Sequence, residues 1–456
     1  MNALLRDAAD RAIRYVEALP DRPVAPAAEA VAGLAAFDVP MPDQPSNPAS
    51  VLRLLDETAS AATTAMAGPR FFGFVVGGSL PAALAANWLA GAWDQKTAFR
   101  SVAPATSTLE EVSLRWLIDL FGLPAGTAAG FTTGATVANF TALAAARHAV
   151  LTRTGWDVEA DGLFGAPPIT VVVGDEVHPS LVKALGLLGL GRNRVIRVPV
   201  DDQGRMRADE MADLAGPTIV CAQAGNVNTG AVDPLTEICA RARDTRAWVH
   251  VDGAFGLWAA AVPSLRHLTA GIENADSWAT DAHKWLNVPY DSGLAFVRDA
   301  DVLRAAMSVS AEYLPPAGGL RNPCDYTPEM SRRGRGVEVW AALASLGRSG
   351  LVDLIERTCR LARRFASELS AAGFEILNDV VLNQVLVAFG DADVTDRIVA
   401  AVQADGTCWC GGTVWHGRPA MRVSVSSWAT TDDDVTRSVE AIVKVAQAEL
   451  SGQASR

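Results

Sequence analysis

Short apolar runs alternate with helical patterns through the middle of the chain. The helical patterns cover Leu181–Leu190, Asp209–Leu214 and Pro234–Asp244. The apolar runs are continuous, which is typical of strands that are buried on both faces. This alternation predicts a mostly parallel sheet covered by helices, in which ligands bind at the carboxyl ends of the strands. The runs are Ile169–Val173, Thr218–Ala222, Trp248–Val251 and Leu294–Val297.

The N-terminal residues have a different pattern. Residues 1–67 contain a helical pattern, a proline-rich stretch from Pro20 to Pro48, and a second helical pattern from Ala49 to Ala67. A proline-rich stretch does not pack into a core of its own. We therefore expect residues 1–67 to form an arm that lies against another part of the molecule, and such arms are common in dimers.

The C-terminal residues indicate a smaller α+β unit. After about Val337 the pattern predicts a long helix through Leu369, followed by short strands and a final helix. The predicted organisation is a large domain over residues 68–336, preceded by the arm and followed by a small domain over residues 337–456.

The composition is that of a soluble globular enzyme, with 50% hydrophobic and 20% charged residues. A chain of 456 residues is too long for one simple core, so we expect several packed units. The formal net charge of −12 argues against nucleic-acid or membrane-surface binding, because proteins with those functions need a basic face. It does not argue against a small anionic ligand, since one pocket can be positive in an acidic protein.

The sequence also predicts a cytoplasmic location. Charges interrupt the N-terminal helical pattern, so it does not resemble a signal peptide. No apolar run reaches the roughly 18 residues that a membrane-spanning helix needs. The six cysteines lack the spacing of a disulfide framework or a zinc site, and we expect them to be reduced.

The first candidate loop for ligand binding precedes an alanine-rich helical stretch. Thr132-Thr133-Gly134-Ala135-Thr136 leads directly into Val137–His148. Free N–H groups and hydroxyls at the start of a helix favour an anion, because the donors and the helix dipole both attract negative charge. Taken alone, such a pattern is more often only an ordinary helix cap.

Two more candidate loops follow predicted strands. His178, in Asp175-Glu176-Val177-His178, could cover the flat face of an aromatic ligand or could be a solvated loop histidine. Asp252, in His250-Val251-Asp252-Gly253-Ala254, could pair with a protonated ring nitrogen, because its small neighbours allow close approach. The alternative for Asp252 is a turn or cap aspartate.

The fourth loop contains Lys284 within Ser277-Trp278-Ala279-Thr280-Asp281-Ala282-His283-Lys284-Trp285. A lysine among apolar and aromatic neighbours is unusual, because burial of an ammonium group is costly unless its pKa falls. Such surroundings favour a lysine that forms a Schiff base. The alternative is a surface lysine whose aliphatic part covers apolar neighbours.

The four loops are more specific together than any one of them. Pyridoxal 5′-phosphate (PLP) needs a phosphate cradle, an acid at its pyridine nitrogen, a stacking group and an amine. The chain offers one candidate for each requirement. The combination predicts a PLP enzyme that holds its cofactor as a Schiff base on Lys284.

The chain also resembles the group II PLP-dependent amino-acid decarboxylases, which include the aromatic-amino-acid, glutamate, cysteine-sulfinate and diaminobutyrate decarboxylases. The resemblance covers nearly the whole chain. It is carried by Pro69-Arg70-Phe71-Phe72-Gly73-Phe74, by the stretch from Thr108-Leu109-Glu110-Glu111 to Leu123-Pro124, by His250–Ala254 and by Asp281–Trp285.

The resemblance implies an architecture as well as an activity. It implies the α/β fold type I of aspartate aminotransferase, with a mostly parallel central sheet, helices on both faces and a smaller α+β C-terminal domain. It further implies a homodimer with its sites at the interface and with the N-terminal arm swapped over the partner.

The resemblance implies a role for each candidate residue. Lys284 would form the Schiff base, Asp252 would pair with the pyridinium, and His178 would stack on the ring and contact the substrate. Ala254 would pack on the other face of the ring. The phosphate region would be held by Ala135, Thr136 and His283.

Members of this family carry a tyrosine on a mobile loop, and that tyrosine protonates the substrate carbon after carbon dioxide leaves. Here the loop between Ala311 and Arg332 contains Asp325-Tyr326, and Tyr326 resembles that residue. Loss of the tyrosine is associated with oxidative deamination to aldehydes. The presence of Tyr326 therefore favours plain decarboxylation.

Two departures from the family pattern bear on the substrate and on the phosphate site. Asp281 stands where many members have Asn, and an acid beside the phosphate is repulsive unless it points away. Val76-Gly77 stand where aromatic decarboxylases carry Pro-Thr, which leaves the substrate class open.

Arg422 could bind a carboxylate or could form a structural surface pair.

The predicted function is removal of the α-carboxylate of an L-amino acid, with aromatic amino acids as one candidate class, to give an amine and carbon dioxide. The alternatives on the same scaffold are a decarboxylation-dependent aldehyde synthase and a carbon–carbon lyase. A non-catalytic PLP-fold binding protein is a further alternative, against which the presence of Lys284, Asp252 and His178 together argues.

Overall fold

The structure is a computed structural model that describes residues 1–309 and 319–454. Its strands are β1 (Ala128–Thr132), β2 (Thr170–Gly174), β3 (Ile196–Val198), β4 (Thr218–Gln223), β5 (Trp248–Asp252), β6 (Ser277–Asp281), β7 (Gly293–Val297), β8 (Glu375–Ile376), β9 (Gln384–Ala388), β10 (Gly411–Trp415) and β11 (Arg418–Ser424).

The α-helices are α1 (Asn2–Ala18), α2 (Ala28–Gly33), α3 (Pro48–Leu54), α4 (Pro81–Trp93), α5 (Pro104–Leu120), α6 (Ala135–Thr152), α7 (Val158–Asp161), α8 (Pro179–Leu187), α9 (Leu235–Thr245), α10 (Ala300–Met307), α11 (Gly336–Ala371), α12 (Ala392–Asp405) and α13 (Asp432–Ala454). Helix α11 is interrupted at Gly347, which has a left-handed φ of 60°. None of the helices within the described residues is long and apolar enough to cross a membrane.

Seven strands form the central sheet, in the order β1-β7-β6-β5-β4-β2-β3. Strands β3, β2, β4, β5 and β6 are mutually parallel, whereas β7 is antiparallel to both of its neighbours. The predicted mostly parallel sheet is therefore confirmed. The carboxyl ends of β2, β4, β5 and β6 all lie at one edge of this sheet.

The sheet is buried because its strands are apolar and the helix on it is built from small residues. The middle of β2, Val171–Val173, and all five residues of β5 are buried. Helix α6 packs on β4, β5, β6 and β7. Ala138 of this helix meets Ala279 and Ala295 of the sheet in a fully buried cluster. Alanine at all three positions lets the helix backbone lie close to the strands.

Some predicted elements differ from the structure. Ser277–Asp281, which we predicted as part of a loop, is strand β6, because its neighbours β5 and β7 pair with it on both sides. The helix predicted at Asp209–Leu214 is only the 3₁₀ turn Ala208–Glu210. In the second N-terminal helix, the α-helical part ends at Leu54 and a π-helix continues over Leu55–Ser60.

The chain divides into two compact units. One contains Met1–Val76, Leu361–Leu377 and Val385–Arg456, and the other contains Gly77–Arg360 and Asn378–Gln384. The N-terminal residues therefore group with the C-terminal ones, and the division into arm, large domain and small domain stays a prediction. Within the first unit, a four-stranded sheet has the order β10-β11-β9-β8, and α12 packs against β10, β11 and α13.

Candidate cofactor site at the carboxyl ends of the sheet

Lys284 lies three residues beyond the end of β6, beside a buried carboxylate. Its Nζ is 3.0 Å from Oδ2 of Asp281, the last residue of the strand. The loop that carries Lys284 is anchored by Trp285, which is fully buried and donates its Nε1–H to Oγ1 of Thr358 at 2.9 Å. The amine is thus held at one position, with the side chain 18% exposed. The structure thus places Lys284 between a buried carboxylate and a fully buried aromatic side chain.

The second oxygen of Asp281 points at the start of α6. Its Oδ1 accepts the backbone N–H of Ala135, the first residue of that helix, at 2.6 Å. We expected an acid here to be repulsive unless it points away from the phosphate region. The structure shows that the carboxylate points toward the helix start, where the N–H group and the ammonium of Lys284 stabilise its negative charge.

Glycines let the backbone pack closely around the start of α6. A Cβ atom on Gly293 would collide with the backbone of Gly134, and a Cβ on Gly134 would lie 3.1 Å from the ring of His283. Helix α6 has 18 residues, and its first N–H groups belong to Ala135 and Thr136. N–H donors at the start of a long helix fit a phosphate group, and in this structure the carboxylate of Asp281 accepts that of Ala135.

His283 is a buried, neutral neighbour of this helix start. Its Nδ1 accepts the backbone N–H of Ser292 at 3.0 Å, so a neutral ring carries its hydrogen on Nε2. Burial lowers the pKa of His283, and the nearby Asp281 carboxylate only partly opposes that effect. Nε2 lies 3.6 Å from Oδ1 of Asp281. His283 therefore offers an N–H donor beside the helix start, as its predicted role at the phosphate requires.

Tyr290 belongs to the surroundings of His283, although the sequence analysis did not identify it. Its ring stacks on His283 with the centroids 4.2 Å apart and the planes 25° apart. Tyr290 is 57% exposed, so it offers an aromatic surface next to a buried polar group. Its position six residues after Lys284 was the available signal, but spacing alone does not show which way a loop residue points.

Asp252 is the last residue of β5 and is buried. Both of its carboxylate oxygens accept a hydrogen bond: Oδ1 from the backbone N–H of Ala254 at 3.2 Å, and Oδ2 from Nδ2 of Asn139 at 3.0 Å. Asn139 lies on α6, one turn after Ala135, and is fully buried. The sequence analysis missed Asn139, and the available signal was a single amide within an alanine-rich helix.

The loops after β5 and β6 are tied together by backbone hydrogen bonds. Asp252 is the register partner of Ala279, and the N–H of Gly253 donates to the carbonyl of Ala279 at 2.9 Å. The N–H of Asp281 donates to the carbonyl of Ala254 at 2.9 Å. The structure therefore places Asp252, Ala254 and the Lys284 loop at one edge of the sheet.

His178 caps helix α8 at the same edge of the sheet. It follows β2, and its Nδ1 accepts the backbone N–H of Ser180 at 3.2 Å and lies 2.7 Å from Oγ of the same residue. Strand β2 is separated from β5 by β4 alone. The side chain is half-buried. Its stacking on the cofactor ring stays a prediction.

Tyr326 lies in a different environment. It ends the 3₁₀ turn Pro323–Tyr326, which packs against α10 and β1, and its ring lies under the guanidinium of Arg321 at 4.2 Å. The ring also packs against the hydrophobic cluster that contains Val297 and Leu303. Val297 is at the end of β7 opposite to Gly293, the register partner of Asp281. The proton-donor role of Tyr326 stays a prediction, and residues 310–318 of its loop lie outside the described residues.

Comparisons with known proteins show the family to which the chain belongs. The sequence model of the pyridoxal-dependent decarboxylase conserved domain matches residues 33–390. The chain is 29% identical to tryptophan decarboxylase 1 of Oryza sativa subsp. japonica, over 84% of this chain and 81% of the relative. It is 31% identical to L-2,4-diaminobutyrate decarboxylase of Rhizobium meliloti (strain 1021), over 80% and 75% of the two chains.

Solved structures share the fold over nearly the whole chain. The crystal structure of Oryza sativa TDC with PLP and tryptamine has a TM-score of 0.90 at 24% identity, with 98% of this chain and 97% of that chain covered. Mouse CSAD also has a TM-score of 0.90, at 23% identity and with 98% of each chain covered. These comparisons confirm the predicted fold type I, the PLP cofactor and the carboxy-lyase activity on an amino acid. The chain belongs to the family of pyridoxal-dependent decarboxylases.

Proposed function

We propose that the strand-end site is the catalytic site and that Lys284 binds PLP covalently. The observation that best supports this is the convergence of Lys284, Asp252 and the start of α6 at one edge of the sheet. Lys284 contacts Asp281, and Asp281 accepts the N–H of Ala135. Asp252 is tied to the same helix through Asn139.

Asp252 is the proposed partner of the cofactor's ring nitrogen. When bound, PLP supplies an electron-accepting ring that stabilises the negative charge left on the α-carbon as carbon dioxide departs. A carboxylate beside the ring nitrogen stabilises the protonated, positively charged form of that nitrogen. The N–H groups of Asn139 and Ala254 that donate to Asp252 fix the direction of its carboxylate.

The start of α6 and His283 are the proposed phosphate site. The backbone N–H groups of Ala135 and Thr136 lie at the start of α6, and Asp281 accepts that of Ala135. The Nε2–H of His283 adds a donor that carries no charge of its own. Because Asp281 shares this region, the phosphate has to compete with a carboxylate for the same donors.

His178 and Ala254 are the proposed residues on the two faces of the ring. Nδ1 of His178 accepts the N–H of Ser180, so the neutral imidazole carries its hydrogen on Nε2. That N–H can donate a hydrogen bond to the substrate. To return a proton to the substrate, the ring must first take up a second proton on Nδ1, which Oγ of Ser180 can accept at 2.7 Å, and the proton given up from Nε2 then leaves a neutral imidazole. Ala254 has only a methyl side chain, and a small residue beside Asp252 leaves room for a flat ring.

We also propose that the chain works as a homodimer. Helices α1, α2 and α3 bury none of their side chains within the described chain. An apolar surface of this extent on a single chain is typical of an interface. A second copy is the partner that the family resemblance implies. The exposed large apolar residues of these three helices are Leu5, Ile13, Val16, Val31, Val51 and Leu54.

The substrate is an L-amino acid, and we propose an aromatic one as the first class to test. The relatives act on tryptophan, on aromatic amino acids and on 2,4-diaminobutyrate, so their names do not select one class. The exposed ring of Tyr290 beside His283 favours a flat side chain.

The experiment is a panel of L-amino acids with the PLP-loaded protein, in which carbon dioxide, amine and peroxide are followed together. The panel contains aromatic, acidic and diamino members, and the Lys284→Ala variant measures the background. Carbon dioxide with an equal amount of amine supports the proposal. Aldehyde and peroxide in place of amine would indicate an aldehyde synthase, and no carbon dioxide from any member would contradict the proposal.

A further inference from the structure

Four buried hydrogen bonds in series lead from Asp252 into the core. Asn139 Nδ2 donates to Asp252 Oδ2 at 3.0 Å, and Asn139 Oδ1 lies 2.9 Å from Nε2 of His250. His250 Nδ1 lies 2.9 Å from Oγ of Ser277, which accepts the indole N–H of Trp248 at 2.8 Å. His250, Asn139 and Ser277 are fully buried, so no solvent competes for these bonds.

The direction of each bond follows from the groups at the two ends. An ionised Asp252 only accepts, so Asn139 has to present its amino group to it and its carbonyl oxygen to His250. That oxygen also only accepts, so the hydrogen of His250 is on Nε2. The Nδ1 atom of a neutral ring then accepts the hydroxyl hydrogen of Ser277, whose oxygen receives the hydrogen of Trp248.

The four hydrogen bonds keep these directions at working pH because His250 stays neutral. Burial lowers the pKa of His250 from its ordinary 6.5 to about 3. The only tautomer that satisfies all four bonds is therefore present throughout the neutral range. In this tautomer, Asn139 cannot turn its oxygen toward Asp252 without losing its hydrogen bond to His250.

We propose that His250 is a positioning residue, which acts through Asn139 to keep the carboxylate of Asp252 aimed at the cofactor's ring nitrogen. This inference rests on the proposed role of Asp252. A flipped Asn139 amide would place a carbonyl oxygen against the carboxylate, and the repulsion would turn Asp252 away from the ring nitrogen. His250 prevents the flip, although it touches neither cofactor nor substrate in this arrangement.

Two substitutions at His250 separate positioning from packing. His250→Gln keeps an N–H₂ group where Nε2 lies and can still donate to Asn139. His250→Leu fills similar space without a donor. Each variant is loaded with PLP that is ¹⁵N-labelled in the ring, because the ¹⁵N chemical shift reports whether the nitrogen is protonated.

In wild type and His250→Gln we expect a protonated ring nitrogen. In His250→Leu we expect the unprotonated signal to appear at neutral pH, with kcat lower on the order of tenfold and KM changed much less, a scale typical of supporting residues behind a reactive group. A His250→Leu protein that is less stable but keeps a protonated nitrogen and normal kcat per bound cofactor would overturn the proposal.

Two further variants keep the test decisive. If His250→Leu does not fold, Asn139→Ala removes the donor to Asp252 within an alanine-rich helix and should give the same ¹⁵N change. Adding His250→Leu to Asp252→Asn should cost no further activity, because the proposed effect passes through Asp252 alone. A protonated nitrogen and normal turnover in Asp252→Asn by itself would instead show that the proposed role of Asp252 is wrong.

Discussion

The carboxylate of Asp281 lies 3.0 Å from the ammonium of Lys284 and also accepts the first N–H of α6 at 2.6 Å. One acidic side chain thus engages both groups that PLP needs, the amine and the phosphate donor. A neutral residue at this position would leave both groups available. The family pattern, in which Asn is common here, provides that alternative.

We therefore predict that Asp281→Asn binds PLP more tightly. The substitution removes a negative charge near the phosphate and an ion-pair partner of Lys284, and both changes favour the bound state. A pair of charges about 4 Å apart interacts by about 1 kcal/mol even in water, which corresponds to roughly fivefold or more in the dissociation constant. Titration of the cofactor-free protein with PLP measures the effect, with Asp175→Asn on an exposed loop as control. Weaker binding would show that the charge of Asp281 is needed to position the amine.

The second prediction concerns covalent attachment. Lys284→Ala should abolish turnover and the absorbance band of the Schiff base, because it removes the amine that lies beside Asp281 at the strand ends. The matched control is Lys183→Ala, since Lys183 is exposed on α8. Peptide mapping after borohydride reduction should place the pyridoxyl group on Lys284. A pyridoxyl group on Lys183 would contradict the assignment.

The sequence was informative where local composition determines the structure. Strands β2, β4, β5 and β7 are continuous apolar runs, so they were predicted within one or two residues. Asp252 was recognisable because it ends such a run, and Lys284 was recognisable from its apolar neighbours.

The rest depended on contacts between distant parts of the chain. β1 and β6 contain small and polar residues, and they become strands because β7 pairs with both. Asn139 and His250 are 111 residues apart, so their hydrogen bond has no local signal. The division into units also had no local signal, because it depends on contacts between distant residues. One example is the hydrophobic cluster that contains both Val24 and Trp409.

The third prediction concerns acid stability of the cofactor-free protein. In the folded state His250 has a pKa of about 3 and stays neutral, whereas in the unfolded chain the same histidine binds a proton below about pH 6.5. The unfolded state therefore binds more protons as the pH falls below 6.5, and stability falls with it by up to about 1.4 kcal/mol per pH unit.

His250→Gln removes this proton uptake on unfolding. The thermal midpoint of the variant should therefore fall less steeply than that of wild type between pH 6.5 and 4.5. His267→Gln changes an exposed histidine and should keep the wild-type slope. Equal slopes in wild type and His250→Gln would mean that His250 does not contribute to acid sensitivity.

The fourth prediction concerns assembly. Light scattering should give twice the chain mass of 47.9 kDa. Val51→Glu with Leu54→Glu places two charges on the exposed apolar face of α3 and should shift the protein toward monomer, with loss of activity. Arg53→Glu on the same helix changes the charge away from that face and should leave the dimer intact. A fully active monomer would refute the proposed homodimer.

Tyr326 provides the last prediction, because family resemblance and packing lead to opposite expectations for it. If its phenol returns the proton to the substrate carbon, Tyr326→Phe should lower amine formation on the order of 10², with aldehyde, ammonia and peroxide in its place. The structure gives the ring a packing role under Arg321 and against α10 and β1, and phenylalanine preserves all of these contacts. We therefore expect Tyr326→Phe to keep its amine yield within about twofold of wild type, whereas His178→Phe should lose the proposed Nε2–H donor and fall by the larger factor. Amine and peroxide are measured together, in air and under nitrogen. A large loss of amine in Tyr326→Phe with normal yield in His178→Phe would instead assign the proton to Tyr326, and would require that residue to leave its packed position during the reaction.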